Sequence, residues 1–348
     1  MPKLPRLRTE LRIGINVPYA DSRPRSEMVA FVQAADRLGY DTVWVPEAYG
    51  WDAISLLAIL ADATERIKLG TGIINVFSRS PALIGQTAGS LDAISNGRFV
   101  LGLGTSGHQV VSGWHGIPFE KGVRRMQEVT EIVRLVLKRE RVTYDGEVFQ
   151  LGMGLKLITH PVRDSVPVYY ATLTPAGLRA TGATADGWLG VFYSPEHFPK
   201  VVRPLIEEGA RAAGRSMDDV AINTFQTVVV TDDLAAGREA VRPYLNLYIG
   251  GMGSREKNYY NRLWRSYGFE KEAEQIQDLY LAKRRDESLA AVTDEMVDLV
   301  SIIGPPEECR RRLRELADSG LQEVALSLSI PGGDERDMYN ALEALAPE

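Results

Sequence analysis

Ile67-Lys68-Leu69-Gly70-Thr71-Gly72-Ile73-Ile74 leads into residues 81–94 and then into Arg98-Phe99-Val100-Leu101-Gly102-Leu103-Gly104. The outer segments are short apolar runs broken by glycine. The middle segment is longer and has helical spacing. Strand, helix and strand with short connections predict a parallel unit. The same rhythm extends in both directions. Upstream, Arg12-Ile13-Gly14-Ile15-Asn16-Val17 reads as a strand and 26–38 as a helix, with Val29, Val32 and Leu38 near one face. Ser26 is the expected cap of that helix and Gly39 its end. Thr42-Val43-Trp44-Val45 is a strand and 53–64 a helix.

Downstream, 121–138 is a long helix, with Val123, Met126, Val133 and Leu137 spaced by threes and fours. Strands follow at 167–171, 188–192, 220–230 and 323–328. Helices are expected at 176–185, 195–213, 234–247 and 306–319, with a terminal one after Asp334. Eight strands with helices between them predict a closed α/β barrel, (β/α)8 of the TIM type, within one domain at 11–348. The runner-up is a doubly wound sheet plus a helical domain. Residues 1–10 read as a loose tail. Two insertions interrupt the rhythm, after the fourth strand (about 141–166) and after the seventh (about 250–298). In the first, Tyr144-Asp145-Gly146-Glu147 reads as a hairpin turn.

Composition narrows the class. Lys plus Arg number 40 and Asp plus Glu 46. That net charge of -6 argues against a duplex nucleic-acid binder. No apolar run reaches the ~20 residues of a membrane helix. One cysteine, Cys309, excludes an internal disulfide and a thiol-rich metal site. A cytoplasmic protein is expected.

A barrel puts chemistry beyond the C-terminal ends of its strands. Pro46-Glu47-Ala48-Tyr49-Gly50-Trp51-Asp52 follows the second strand, offering a carboxylate and aromatics; Asp52 is also a natural helix cap. Gly102-Leu103-Gly104-Thr105-Ser106-Gly107 matches G-x-G-x-x-G, but on the fourth strand and without a clear helix start after it. A strand end against which a flat ligand lies suits it better. Thr172-Leu173-Thr174-Pro175-Ala176-Gly177 joins the fifth strand to its helix. Hydroxyls at a helix N-terminus make an anion site. The histidines His108, His115, His160 and His197 form no metal-binding spacing, so no metal is expected. Arg310, Arg311, Arg312 and Arg314 sit among acids and read as a solvated face. The aromatics of 259–269 fit a lid, a subunit contact or a satellite core.

Several segments together resemble the luciferase-like monooxygenase superfamily, and within it the branch that uses the deazaflavin coenzyme F420. They are Val45-Pro46-Glu47-Ala48-Tyr49 with Asp52, Leu69-Gly70-Thr71-Gly72-Ile73, Leu91-Asp92-Ala93-Ile94-Ser95-Asn96-Gly97-Arg98-Phe99, Leu101 to Gly107, Gly113-Trp114-His115-Gly116 and Ala185-Asp186-Gly187-Trp188. The resemblance covers most of residues 10–200. It implies a bacterial-luciferase-like barrel with a deazaflavin or flavin across its mouth. It implies a non-prolyl cis peptide at Gly72–Ile73 behind the ring. It places the cofactor phosphate in the loop of Ala171, Thr172, Leu173, Thr174 and Ala176. Ring contacts fall to Glu47, Ser106, Gly107 and Val110. Where relatives often read Ser-Gly-Pro-Gln-Val-Val-Glu, this chain has His108 for the proline and Ser112 for the acid.

The expected activity is hydride transfer between coenzyme F420 and a small organic substrate. Glu47, Tyr49 and His108 are the candidate proton donors. An FMN-dependent monooxygenase with a partner reductase is the alternative. A non-catalytic cofactor-binding homologue and a metal-dependent barrel hydrolase are rivals from other classes. A homodimer or higher homo-oligomer is expected, with the insertions and the second-half aromatics as its surface.

Overall fold

The computed structural model describes residues 11–18, 23–331 and 335–347; the expected tail lies outside them. Eight parallel strands close a ring: β1 (Arg12–Asn16), β2 (Thr42–Val45), β3 (Lys68–Thr71), β4 (Phe99–Gly104), β5 (Val168–Ala171), β6 (Gly187–Val191), β7 (Ala221–Val230) and β8 (Glu323–Leu328). Each pairs with the next, and β8 pairs with both β7 and β1. The chain forms the expected barrel, not an open sheet.

Aromatic and aliphatic side chains fill the ring. Trp44 packs on Tyr169 and Phe225, with centroids 5.6 and 6.2 Å apart, beside Val100, Leu189 and Ala325. At its N-terminal end, Glu323 accepts hydrogen bonds from Arg12, Tyr169 (3.0 Å) and Asn223 (3.0 Å). Burial and the neighbouring carboxylate push the Tyr169 phenol well above its ordinary value. A second, larger core lies between the barrel and its helices, from Ile13 and Val32 round to Leu326 and Leu342.

Departures from the expected elements have local causes. The helix expected at 195–213 is two, Phe198–Val201 and Arg203–Ala212. Pro204 has no N–H and crowds the carbonyl four residues back, so the turn breaks at Val202. The first helix starts at Arg25 after Pro24 and has no side-chain cap, so Ser26 does not cap it; Gly39, at φ 90°, does end it. The stretch after Gly107 winds into a π-helical turn, Gln109–Trp114, where no helix was expected.

A short parallel strand, Ser301–Gly304, was also unforeseen. Thr227 pairs with Ser301 on one side and Ser327 on the other. Strand β7 outruns β6, which pairs only as far as Phe225. The added strand takes the backbone groups left over.

Both insertions have regular structure. The first is a hairpin, Val142–Asp145 with Gln150–Leu155. The second holds helices Tyr259–Ser266, Glu270–Leu281, Arg285–Ala290 and Asp294–Val300. Of the three readings left open for its aromatics, the structure selects the satellite core. Trp264 and Tyr267 are buried with Phe192, Ile276 and Met296, and Tyr260 and Phe269 pack against them. Tyr259, Tyr260 and Phe269 remain half-buried.

Candidate active site at the barrel mouth

Strand β3 stops at Thr71, and the Gly72–Ile73 peptide is cis, as expected. Pairing with β4 resumes at Ile74 and Asn75, which face Leu103 and Gly104. Thr71 bridges the gap: its hydroxyl donates to the Gly102 carbonyl and accepts from the Gly102 N–H, both at 2.8 Å. Only glycine fits there, since a Cβ at 102 would stand 1.9 Å from the Thr71 carbonyl oxygen. Gly104 is similarly confined. A Cβ at that position would lie 2.9 Å from Ile73 Cδ1 and 3.3 Å from the Ala171 oxygen. Ile73 and Ala171 are half-buried on top of the interior cluster. Together these three residues make an apolar shelf.

The loop beside the shelf leads into a helix N-terminus, where N–H groups lack intrahelical partners. Thr174 caps helix Pro175–Thr184, its hydroxyl accepting from Gly177 N at 3.0 Å. Leu178 N donates to the Thr174 carbonyl at 2.8 Å. Pro175 has no N–H, so Ala176 carries the remaining donor of the exposed first turn. Trp188 Nε1 donates to the Thr172 carbonyl at 2.9 Å and fixes the loop from behind. Leu173 is half-buried and packs against the larger core around the barrel and the satellite core.

The β4 loop supplies Ser106, in a left-handed conformation at φ 55°, and Gly107, where a Cβ would meet nothing within 4 Å. Val110 is half-buried. His108 is exposed, its ring edge-on to Phe119 at 6.2 Å, and Phe119 packs on Phe77 at 5.4 Å. These rings tie the loops after β3 and β4. Ser112 donates its hydroxyl to the Ile117 carbonyl at 3.0 Å, so its side chain closes the turn.

Glu47 and Tyr49 stand in the β2 loop. Tyr49 is 62% exposed. Glu47 is held by a residue that sequence reading did not single out. Arg79 donates to both Glu47 oxygens, at 2.6 and 2.8 Å, and to Asp52 at 2.5 Å. The Glu47 hydrogen bond, opposed by burial and helped by both acids, raises the Arg79 pKa. Burial would raise the Asp52 pKa, but hydrogen bonds from Ser55 and the Arg79 charge outweigh it and hold it below its ordinary value. Asp52 also caps helix Ala53–Ala63, as one reading of the sequence had it. The structure therefore joins Glu47 to Arg79 and Asp52, while His108 belongs to the neighbouring aromatic wall. Among the described residues, no group of three or more His, Cys, Asp or Glu could hold a metal ion. Cys309 is buried, and burial pushes its thiol up to about 12.

The mouth of the parallel barrel thus sets the apolar shelf beside the N-terminus of helix Pro175–Thr184. The pattern of the luciferase-like monooxygenase family matches residues 11–323, and the chain belongs to that family. A putative coenzyme F420-dependent oxidoreductase of Mycobacterium tuberculosis is 35% identical over 330 residues, covering 91% of this chain and 95% of the relative. A 5,10-methylenetetrahydromethanopterin reductase of Archaeoglobus fulgidus is 31% identical, covering 89% and 91%. The solved structure of a coenzyme F420-dependent tetrahydromethanopterin reductase from Methanopyrus kandleri superposes with a TM-score of 0.82 at 24% identity, covering 97% and 98%, which bears on the fold.

Proposed function

We propose that this protein is a coenzyme F420-dependent oxidoreductase that moves a hydride to or from a C=C, C=N or C=O group of a small organic substrate. The observation carrying the proposal is the shelf of Ile73, Gly104 and Ala171 set beside the Thr172–Ala176 loop. The kinship with F420-dependent oxidoreductases supports it. When bound, the deazaflavin supplies a two-electron hydride carrier. The protein's own groups bind, orient and protonate. The Ala176 N–H and the Thr172 and Thr174 hydroxyls take the phosphate. Gly72, Ile73, Ser106, Gly107 and Val110 line the ring. Glu47, held by Arg79, would offer the ring a fixed polar group. His108, exposed on the β4 loop, is the first choice to deliver a proton to the substrate atom that gains negative charge, with Tyr49 next. Ser112 replaces the family's acid but spends its hydroxyl on the backbone, which favours His108 in that role.

The protein works as a cytoplasmic homodimer. Met153, Leu155, Ile158 and Val162, on and just after the first insertion's hairpin, are all more than half exposed and supply an apolar surface for self-association.

Turnover tests the reaction. Under anaerobic conditions, reduced F420 is incubated with the protein and a panel of alkene, imine and carbonyl acceptors. Return of the oxidised cofactor's absorbance, with a product two hydrogens heavier, is expected for at least one class. Oxygen uptake with reduced FMN, and no oxidation of reduced F420 by any acceptor, would replace the proposal with a monooxygenase.

A further inference from the structure

Arg79 is the sole charged residue between Lys68 and Asp92. It leaves the β3 loop and reaches the β2 loop, where it meets two carboxylates at once. Its side chain is 16% exposed and that of Glu47 is 11% exposed, so water competes little for the pair. The contact is bidentate, the geometry that a guanidinium fork suits and an ammonium does not. Glu47 Oε1 also accepts from Ala53 N at 3.3 Å, and Asp52 Oδ1 from Ser55 N at 2.7 Å. Arg79 thus grips the segment 46–52 near both ends, while Tyr49 and Trp51 stand exposed between. With its charge shared between two acids, it is not a free cation for a substrate phosphate.

We propose that Arg79 is a positioning residue: by clamping Glu47 and Asp52 it holds the β2 loop in the shape that receives the cofactor ring. The cofactor part of this inference rests on the deazaflavin reading; the clamp itself does not.

The test compares wild type, Arg79→Met, Arg79→Lys and Glu47→Gln, each with two readouts. Amide hydrogen exchange over residues 46–55 reports on the loop without cofactor. Fluorescence titration with coenzyme F420 reports on binding. Arg79→Met should speed exchange in 46–55 at least tenfold, with exchange around Trp264 unchanged, and should weaken F420 binding about tenfold. Arg79→Lys should fall between, because it keeps the charge and loses the fork; it also serves if the methionine variant does not fold. The Glu47→Gln and Arg79→Met effects on affinity should be strongly non-additive in the double variant, since they remove one contact. Unchanged exchange in 46–55 would overturn the clamp. Faster exchange with unaltered F420 affinity, or additive effects, would overturn its role in cofactor binding. Failure of wild type to bind F420 would instead sink the deazaflavin reading, and exchange would still decide the clamp.

Discussion

His108 and Glu128 show two ways a single side chain bears on this molecule. His108 is exposed at the mouth, edge-on to the Phe119 ring. If it delivers the proton, His108→Ala should lower turnover by roughly 10²–10⁴-fold with F420 affinity nearly intact. Steady-state kinetics beside a binding titration checks this, and unchanged turnover removes His108 from the role. Glu128 is fully buried and accepts from the N–H groups of Glu147, Val148 and Phe149 at 2.7, 3.0 and 2.9 Å, and from Arg124. Burial opposes the charge, but these donors prevail and hold its pKa below the ordinary 4.5. A depressed carboxylate stabilises the fold above its unfolded pKa and loses that contribution as pH falls through its folded value. Glu128→Gln should therefore cost about 2 kcal/mol at pH 7, and the gap to wild type should narrow as pH falls below the ordinary 4.5. Urea unfolding across that pH range measures it. Sequence showed Glu47, Tyr49 and His108 as chemistry-bearing residues, because they follow strand ends. It did not show Arg79, whose partners are 27 and 32 residues away. Its isolation among small and apolar residues was the available signal.

At the scale of elements, the loop after β5 has the most direct consequence. Thr174 caps its helix and, on the proposed reading, also helps to hold the cofactor phosphate. Thr174→Ala should cost about 1 kcal/mol of stability through the lost cap. It should also weaken F420 binding, while riboflavin-like fragments without phosphate lose nothing. Thermal melts and parallel titrations separate the two effects. Most strands and helices were legible to within a residue or two, because their apolar spacing and glycine ends are local signals. Pro81 and Ile94 bound the third helix as expected. What apolar spacing did not carry was the break before Pro204, the π-helical turn after His108 and the strand Ser301–Gly304. The first turns on one missing N–H. The last exists because another strand is too short, which no reading of 301–304 alone reveals.

For the whole molecule, the closed ring was legible from the strand count, since eight right-handed strand–helix units have few other solutions. The satellite core was not, because its members, Phe192, Val229, Trp264 and Met296, come from segments far apart in sequence. The polar group at the base of the barrel, centred on Glu323, was hidden for the same reason. No helix among the described residues is long and apolar enough to cross a membrane. Light scattering should give twice the chain's 38.5 kDa at micromolar concentration. Aspartates at Leu155 and Ile158 should shift the protein toward monomer. A monomer at every concentration would reject the dimer.

A mouth that receives a deazaflavin should discriminate coenzyme F420 from FMN. The most direct measurement is a titration of the purified protein with coenzyme F420 and, separately, with FMN, followed by cofactor fluorescence. The expected result is micromolar F420 binding with FMN at least tenfold weaker. Tighter binding of FMN, or binding of neither, would contradict it.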